Sequence, residues 1–481
     1  MAKLGVLIFG LLFFPILLFS QENYYYQTDF TIEEFAERRS RVFDKIGNHS
    51  LALIQGGTAV RGFEVFRQSN EFYYLCGLET PHSYLLMDGR NRRSTLYLPH
   101  RDEARERNEG KVLSAEDVKL VKELTGVDAV YGSDLMARHF TGFLIRAPFP
   151  SVYTPFSPAE GKATSRDELI RGNAAIASDP WDGSPSREGH FIHLLKSRFP
   201  QFEIQDLSPI LDDIRVVKSP AEIILIRRAS QLAGMGLMEA MRSTKPGVME
   251  YQLDGAARYI FLINGARNEG YSSITAGGTN AWMGHYFHNK SVLKSGDLVL
   301  MDYAPEYRFY TSDVARMWPV NGKFTSGQRE LYGFILKYYK TILQYIRPGV
   351  SAAKVMDEAA EVMKGVFEKT RFSKPAYKKA CEGTLTFRGH LSHSVGMAVH
   401  DVGNYRDGLL KPGMVFSIDP MLWVPEEKLY VRIEDVVVVT EEGVENFTNF
   451  VPTEIEGIEK LIKERGILQI RPATKSISNS P

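Results

Sequence analysis

Cysteine is nearly absent: Cys76 and Cys381 are the only two in 481 residues. That excludes a disulfide framework, so stability has to come from buried apolar surface, and the chain is long enough for two domains that bury it. Both thiols read as free and buried, and neither sits in a nucleophile's context. An excess of charge is missing too, with 58 Lys+Arg against 58 Asp+Glu and a formal charge of +0. Without a basic surplus or a long run of one sign, nucleic acid and acidic membrane surfaces are not expected partners. Long hydrophobic runs are limited to one, Leu4 to Phe19, broken by Gly5, Gly10 and Pro15. It falls short of the ~20 residues a spanning helix needs. With Lys3 before it and Ser20-Gln21-Glu22 after it, the run reads as a secretory signal over residues 1–20, cleaved near Ser20. The mature protein is then secreted or periplasmic, with no stable membrane span after cleavage and no cysteine nearby for a lipid anchor.

What is present is a frame that occurs twice. Lys294-Ser295-Gly296 leads through an apolar run to Asp302, six residues after the glycine, and Lys411-Pro412-Gly413 leads through Met414, Val415, Phe416 and Ile418 to Asp419, again six after it. Asp313 precedes Gly322 by nine residues and Glu434 precedes Gly443 by nine. Two hairpins are predicted, each carrying two carboxylates on apolar strands. Strand alternation puts Leu298, Leu300 and Asp302 on one face, and likewise Asp313, Ala315 and Met317. The numbering midpoints make Asp302 and Asp313 near cross-strand neighbours, and Asp419 and Glu434 as well. Like charges opposed on a strand pair are destabilising, and burial adds a desolvation cost. A pair of divalent ions, about 3.5–4 Å apart and bridged by carboxylates, removes the repulsion and supplies an activated water.

Histidine completes the donor set. His390, His393 and His400 fall within eleven residues in a Gly-punctuated stretch just upstream of the second acidic hairpin. His285-Tyr286 precedes the first hairpin and is ambiguous alone. Mostly oxygen donors with one imidazole suit a hard ion such as Mn(II), although Co(II), Fe(II) and Zn(II) fit the same set.

The surrounding sequence gives the scaffold. Thr31-Ile32-Glu33-Glu34 fits a capping box before a helix, and strands are predicted over Leu51–Gln55, Tyr84–Met87 and Thr95–Pro99, so residues 22–210 read as an α/β domain. Ser219-Pro220-Ala221-Glu222 is a strong helix start, just past a domain boundary placed near 205–215. Helices to about Met241 and from about Tyr251, then about 325–346 and 351–369, alternate with the hairpins, and Asn321-Gly322 reads as a hairpin-type turn. Residues 211–470 therefore form an internal duplication of a helix-pair-plus-hairpin unit. The Ser/Asn/Pro-rich tail 471–481 is expected to be disordered.

From about Arg215 to Leu461 the chain resembles the pita-bread metallopeptidases, most closely the Xaa-Pro aminopeptidase (aminopeptidase P) family, with prolidase next. The matching segments are Arg215-Val-Val-Lys-Ser-Pro-Ala-Glu222, His285-Tyr286, Asp302, Ser312-Asp313-Val-Ala-Arg316, Pro319-Val-Asn-Gly-Lys-Phe324, Leu391-Ser-His393, Val399-His-Asp-Val-Gly403, Lys411-Pro-Gly-Met414 and Arg432-Ile-Glu-Asp435. Phe66-Arg-Gln-Ser-Asn-Glu-Phe-Tyr-Tyr-Leu-Cys-Gly77, with Arg101-Asp102, resembles that family's N-terminal domain. The resemblance implies an α/β N-terminal domain followed by an α+β pita-bread (creatinase/aminopeptidase-like) catalytic domain with pseudo-two-fold duplication. It also implies two divalent metals. Asp302 and Asp313 would hold one; Asp313, His393, Asp419 and Glu434 would hold the other, with a bridging hydroxide as nucleophile. His285 and His400 would flank the scissile peptide, and Arg432 would lie close by. The implied activity is removal of the first residue from peptides with proline second, by a homodimer. A prolidase cutting Xaa-Pro dipeptides and a catalytically weakened binding protein are the rivals. The departures are local: Asp419-Pro420-Met421 replaces the family's Glu-Pro-Gly, Tyr303-Ala304 replaces Ala-Gly, Ser312 replaces Gly, and Gly389 stands where a further His is usual.

Overall fold

The computed structural model describes residues 25–60, 62–146, 151–162 and 164–472. The signal segment 1–20 and nearly all of the tail 471–481 lie outside the described residues. The architecture is the expected one, an α/β N-terminal domain followed by an α+β pita-bread domain of two similar halves.

The N-terminal sheet runs in the order Ala129–Gly132, Arg93–Leu98, Tyr84–Asp88, Ser50–Gln55, Ser151–Thr154, Glu203–Asp206. Its middle strands pair antiparallel and its outer ones parallel. The strand Ser50–Gln55 is apolar on both faces because both are covered: Ala52 and Ile54 pack into one core, Leu51 and Leu53 into another. Thr31 caps the helix Ile32–Ile46 by accepting from the Glu34 amide. The reciprocal arm of the expected capping box is not made there, since the Glu34 carboxylate accepts instead from Arg38 and from Ser219 Oγ, both at 2.6 Å. A local cap has been exchanged for a tie between the domains.

In the second domain the helices Pro220–Ser243 and Glu250–Ile263 precede the strands Ile274–Gly277, Leu298–Asp302 and Ala315–Pro319. The helices Ser326–Tyr345, Ala352–Lys369 and Pro375–Thr386 precede Leu391–Ser394, Val415–Ile418 and Asp435–Val439. Ser219 and Glu222 form the predicted capping box. Helix Pro375–Thr386 was not expected: its cap position is Lys374 with no side-chain cap, so proline was its only start signal. In each half a central strand is flanked by two antiparallel neighbours. The halves are joined where Ala315 and Glu434 exchange backbone N–H···O bonds of 3.2 and 3.1 Å.

Asn321-Gly322 does not close a hairpin. Gly322, at φ +78°, donates to the Pro319 carbonyl and turns the chain from its strand into the next helix, while residues 303–314 connect the paired strands. Cys76 and Cys381 are buried and free. Among the described residues no helix is long and apolar enough to cross a membrane.

Candidate metal centre and active site

The repeated frame ends where the two halves meet. Asp302 is the last residue of one central strand, and Asp419 follows the last residue of the other. In the second hairpin Ile418 pairs with Asp435 and Met421 with Arg432, which keeps Asp419 opposite Glu434 as the numbering implies. In the first, Asp302 pairs with Ala315, so Asp313 sits two residues beyond its expected register, on the same face. Asp302, Asp313, Asp419 and Glu434 keep only 4, 4, 3 and 0 % exposure, which excludes solvated strand ends.

Buried acids must find donors or cations. Arg432 supplies a guanidinium between them, with Nη1 2.9 Å from Asp302 Oδ2, Nε and Nη2 at 2.9 and 2.8 Å from the two Asp419 oxygens, and Nη2 against Glu434 Oε2. The Tyr271 hydroxyl is 2.7 Å from Oδ1 of both Asp302 and Asp313. His393 Nε2 lies 3.0 Å from Asp313 Oδ2. Burial pushes the Asp302 carboxyl up to about 7, against the pull of Arg432 and with the push of Asp313. Burial likewise raises Asp419 and Glu434, again opposed by Arg432. Burial would raise Asp313 too, but the hydrogen bond and charge of His393, then Arg432, hold it well below the usual carboxylate range. His393 is the mirror image: burial favours its neutral ring, and Asp313 holds its pKa above the ordinary value.

One ligand atom from each of Asp313, His393 and Glu434 fits within 4.8 Å of the others. Glu434 Oε1 is buried and meets no hydrogen-bond partner among the described residues. Four carboxylates, one imidazole and an orphaned buried oxygen fit a divalent cation centre, and the oxygen-rich set fits hard ions.

These side chains open into a cavity of about 580 Å³ whose wall includes Asp302, Asp313, His393, Asp419 and Arg432 with His285 and His400. The His393 and His400 rings lie 4.1 Å apart, and burial, then the neighbouring His393, lowers the pKa of His400. His390 is not part of the site. Its ring packs on Tyr338 and Phe387, Nε2 meets the Thr384 carbonyl at 2.9 Å, and burial drives its pKa down to about 4. It supports the site from behind, its carbonyl accepting from the Asp419 amide at 2.7 Å and its Nδ1 from the Met421 amide at 3.4 Å.

Two sets of site residues were missed from the sequence. Tyr271 lies between strands in no motif. Thr164, Ser165 and Glu168 belong to the N-terminal domain and form part of the cavity wall. Ser165-Arg-Asp-Glu168 has the capping-box pattern that marks a helix start, a signal that was available. Met421 and Tyr430 also line the cavity, their Sδ and hydroxyl 3.3 Å apart, so the departure Asp419-Pro420-Met421 reaches the pocket surface.

Comparison with known proteins gives the family. Residues 224–441 match the model of metallopeptidase family M24, and residues 35–153 match that of the aminopeptidase P N-terminal domain. The chain is 32 % identical to the Xaa-Pro aminopeptidase of Escherichia coli (strain K12), over 89 % of this chain and 97 % of that protein. It is 30 % identical to Xaa-Pro aminopeptidase 3 of Homo sapiens, over 83 % and 77 %. The structure of E. coli aminopeptidase P with the inhibitor Pro-Leu superposes with a TM-score of 0.72 at 29 % identity, over 90 % of this chain and 99 % of that one. With a buried carboxylate–imidazole centre, both family domains and similarity over nine-tenths of its length, the chain belongs to metallopeptidase family M24 in its aminopeptidase P branch and is a metal-dependent aminopeptidase.

Proposed function

We propose that the protein is an Xaa-Pro aminopeptidase, releasing the first residue of peptides whose second residue is proline. The observation that carries this reading is the convergence of Asp302, Asp313, His393 and Asp419 with His285 and His400 on one cavity, with Glu434 buried beside Asp313 and His393. Asp302 and Asp313 would hold one divalent ion, and Asp313, His393, Asp419 and Glu434 a second, Mn(II) being the first choice. When bound, such a pair supplies an activated water and polarises the scissile carbonyl. The chain's own part is to exclude bulk water, to orient the peptide between His285 and His400, and to hold charge as the tetrahedral oxyanion develops. The relatives' names support the proline preference.

The test is hydrolysis of an Xaa-Pro-Xaa tripeptide and an Xaa-Pro dipeptide by purified protein, before and after stripping with EDTA and reloading with Mn(II). Tripeptide cleavage that is lost and restored with the metal is expected; an intact tripeptide under Mn(II) refutes the reading. From sequence alone, the proposal also carries export through residues 1–20 and a homodimer. N-terminal sequencing of the mature protein and sedimentation check these.

A further inference from the structure

His400 lies in the loop Val399-His-Asp-Val-Gly403, on neither strand nor helix, so its own backbone does little to fix the ring. What fixes it comes from the other domain. Asp167 Oδ2 is 3.1 Å from His400 Nδ1, and the His400 backbone N–H donates to Ser165 Oγ at 3.0 Å. Ser165 is the cap residue of helix Arg166–Ser178, yet its hydroxyl caps no amide of that helix. Asp167 Oδ2 also accepts from Arg171 at 2.8 Å, while its Oδ1 is buried and meets no hydrogen-bond partner among the described residues. One carboxylate oxygen thus faces both the Arg171 guanidinium and the His400 ring.

The support beneath is buried and charged. Arg166 pairs with Glu71 at 2.9 Å and Asp212 at 2.6 Å. Asp401, next to His400, pairs with Arg215 at 2.5 Å and Lys218 at 3.1 Å, and Arg215 reaches Glu160 at 2.9 Å. The start of helix Arg166–Ser178 and the His400 loop are thus clamped to one buried network across the domain boundary.

We propose that Asp167 is a positioning residue for His400: it accepts the Nδ1 proton, fixes ring and tautomer, and leaves Nε2 for the peptide. The N-terminal domain thereby completes the active site rather than only covering it. An ionised carboxylate only accepts, so the nitrogen facing it carries the proton. The inference rests on His400 meeting substrate, as proposed above.

The experiment compares kcat, KM and bound Mn(II) for the full-length protein, Asp167→Ala, Asp167→Asn, His400→Ala and the double variant, with ¹⁵N NMR of the His400 ring in metal-free protein. Asp167→Ala is expected to lower kcat about 10–100-fold with KM and metal content within about twofold, the usual scale for an orienting partner. Asp167→Asn, whose amide oxygen still accepts from Nδ1, keeps most of the activity. In the His400→Ala background, Asp167→Ala costs nothing further, because it acts through a ring no longer there. An additional loss in the double variant, or an Asn variant as poor as Ala, overturns the inference. If His400→Ala alone retains full activity, the role given to His400 fails, and the ring spectra decide the positioning. Nδ1 protonated in wild type and Asn, with mixed tautomers in Ala, upholds it; unchanged spectra in Ala overturn it.

Discussion

Replacing Arg432 by methionine keeps an apolar stem of similar length and removes the one guanidinium shared by three of the site's acids. Arg432 is only 7 % exposed and meets Asp302, Asp419 and Glu434 directly. Without bound metal, its loss leaves those carboxylates buried and uncompensated. Removing one partner of a buried ion pair costs about 3–5 kcal/mol. A domain of 150–250 residues loses ~2–4 °C of melting temperature per kcal/mol, so the catalytic domain should melt roughly 6–20 °C earlier in EDTA. The sign with pH follows from proton counting. In Arg432→Met the acids lose the main charge that opposes burial and their pKa values rise further than in wild type, so the folded variant holds more protons than folded wild type and loses stability more steeply as pH rises. The deficit should therefore grow from pH 5 to pH 8. Excess Mn(II) restores positive charge at the same carboxylates and should shrink it. Calorimetry of both proteins in EDTA and in Mn(II), at both pH values, makes the comparison. A variant that melts with wild type in EDTA at pH 8, or a deficit equal with and without metal, refutes the view of Arg432 as the centre's counter-cation.

Three further outcomes are expected. Tyr271→Phe removes the hydroxyl that ties Asp302 to Asp313 and should weaken Mn(II) binding about 10–100-fold, read by metal titration, with the fold unchanged by circular dichroism. Asp419→Glu lengthens an acid whose two oxygens already fit Arg432 at 2.8 and 2.9 Å; a displacement near 1 Å should lower kcat/KM on a tripeptide by about 10²-fold, and a gain of activity would show that the short acid is a handicap. His390, held neutral with its pKa down at about 4, stabilises the fold above its unfolded pKa of about 6.5, and that contribution falls away as pH drops toward 4. By pH 5 the loss is about 2 kcal/mol, so His390→Gln should flatten the wild-type pH dependence of urea unfolding between pH 7 and 5 by that amount.

The parts of this site legible in the sequence are those that local periodicity controls. Strand alternation and hairpin arithmetic put Asp419 opposite Glu434 because Pro420 and the following strands keep one register from Ile418 to Arg432. The same arithmetic slips at Asp313, where the connecting loop has other work. Pro305 pairs with Glu269 and Glu306 with Asn268, Arg308 and Phe309 take positive φ, and Phe309 stacks on Tyr73 at 3.5 Å beneath Arg67. A midpoint rule assumes a loop that only turns, and this one docks the catalytic hairpin onto the N-terminal domain.

Histidine spacing misled for a related reason. His390 and His393 are close in sequence, but His390 precedes the short strand Leu391–Ser394 while His393 lies within it, and the ring of His390 packs into the core. Nothing in the spacing reports the contact between Asp167 and His400, which are separated by 233 positions. The family segments around Arg215, Asn70 and His400 look unrelated along the chain. They converge because Arg215 bridges Glu160 to Asp401, and Asn70 joins Glu160 to the Met397 carbonyl. Charges so deeply buried tolerate little displacement, since breaking one pair strands its partner. The network therefore couples the seating of the N-terminal domain to the loop that carries His400, and the active site is a property of both domains.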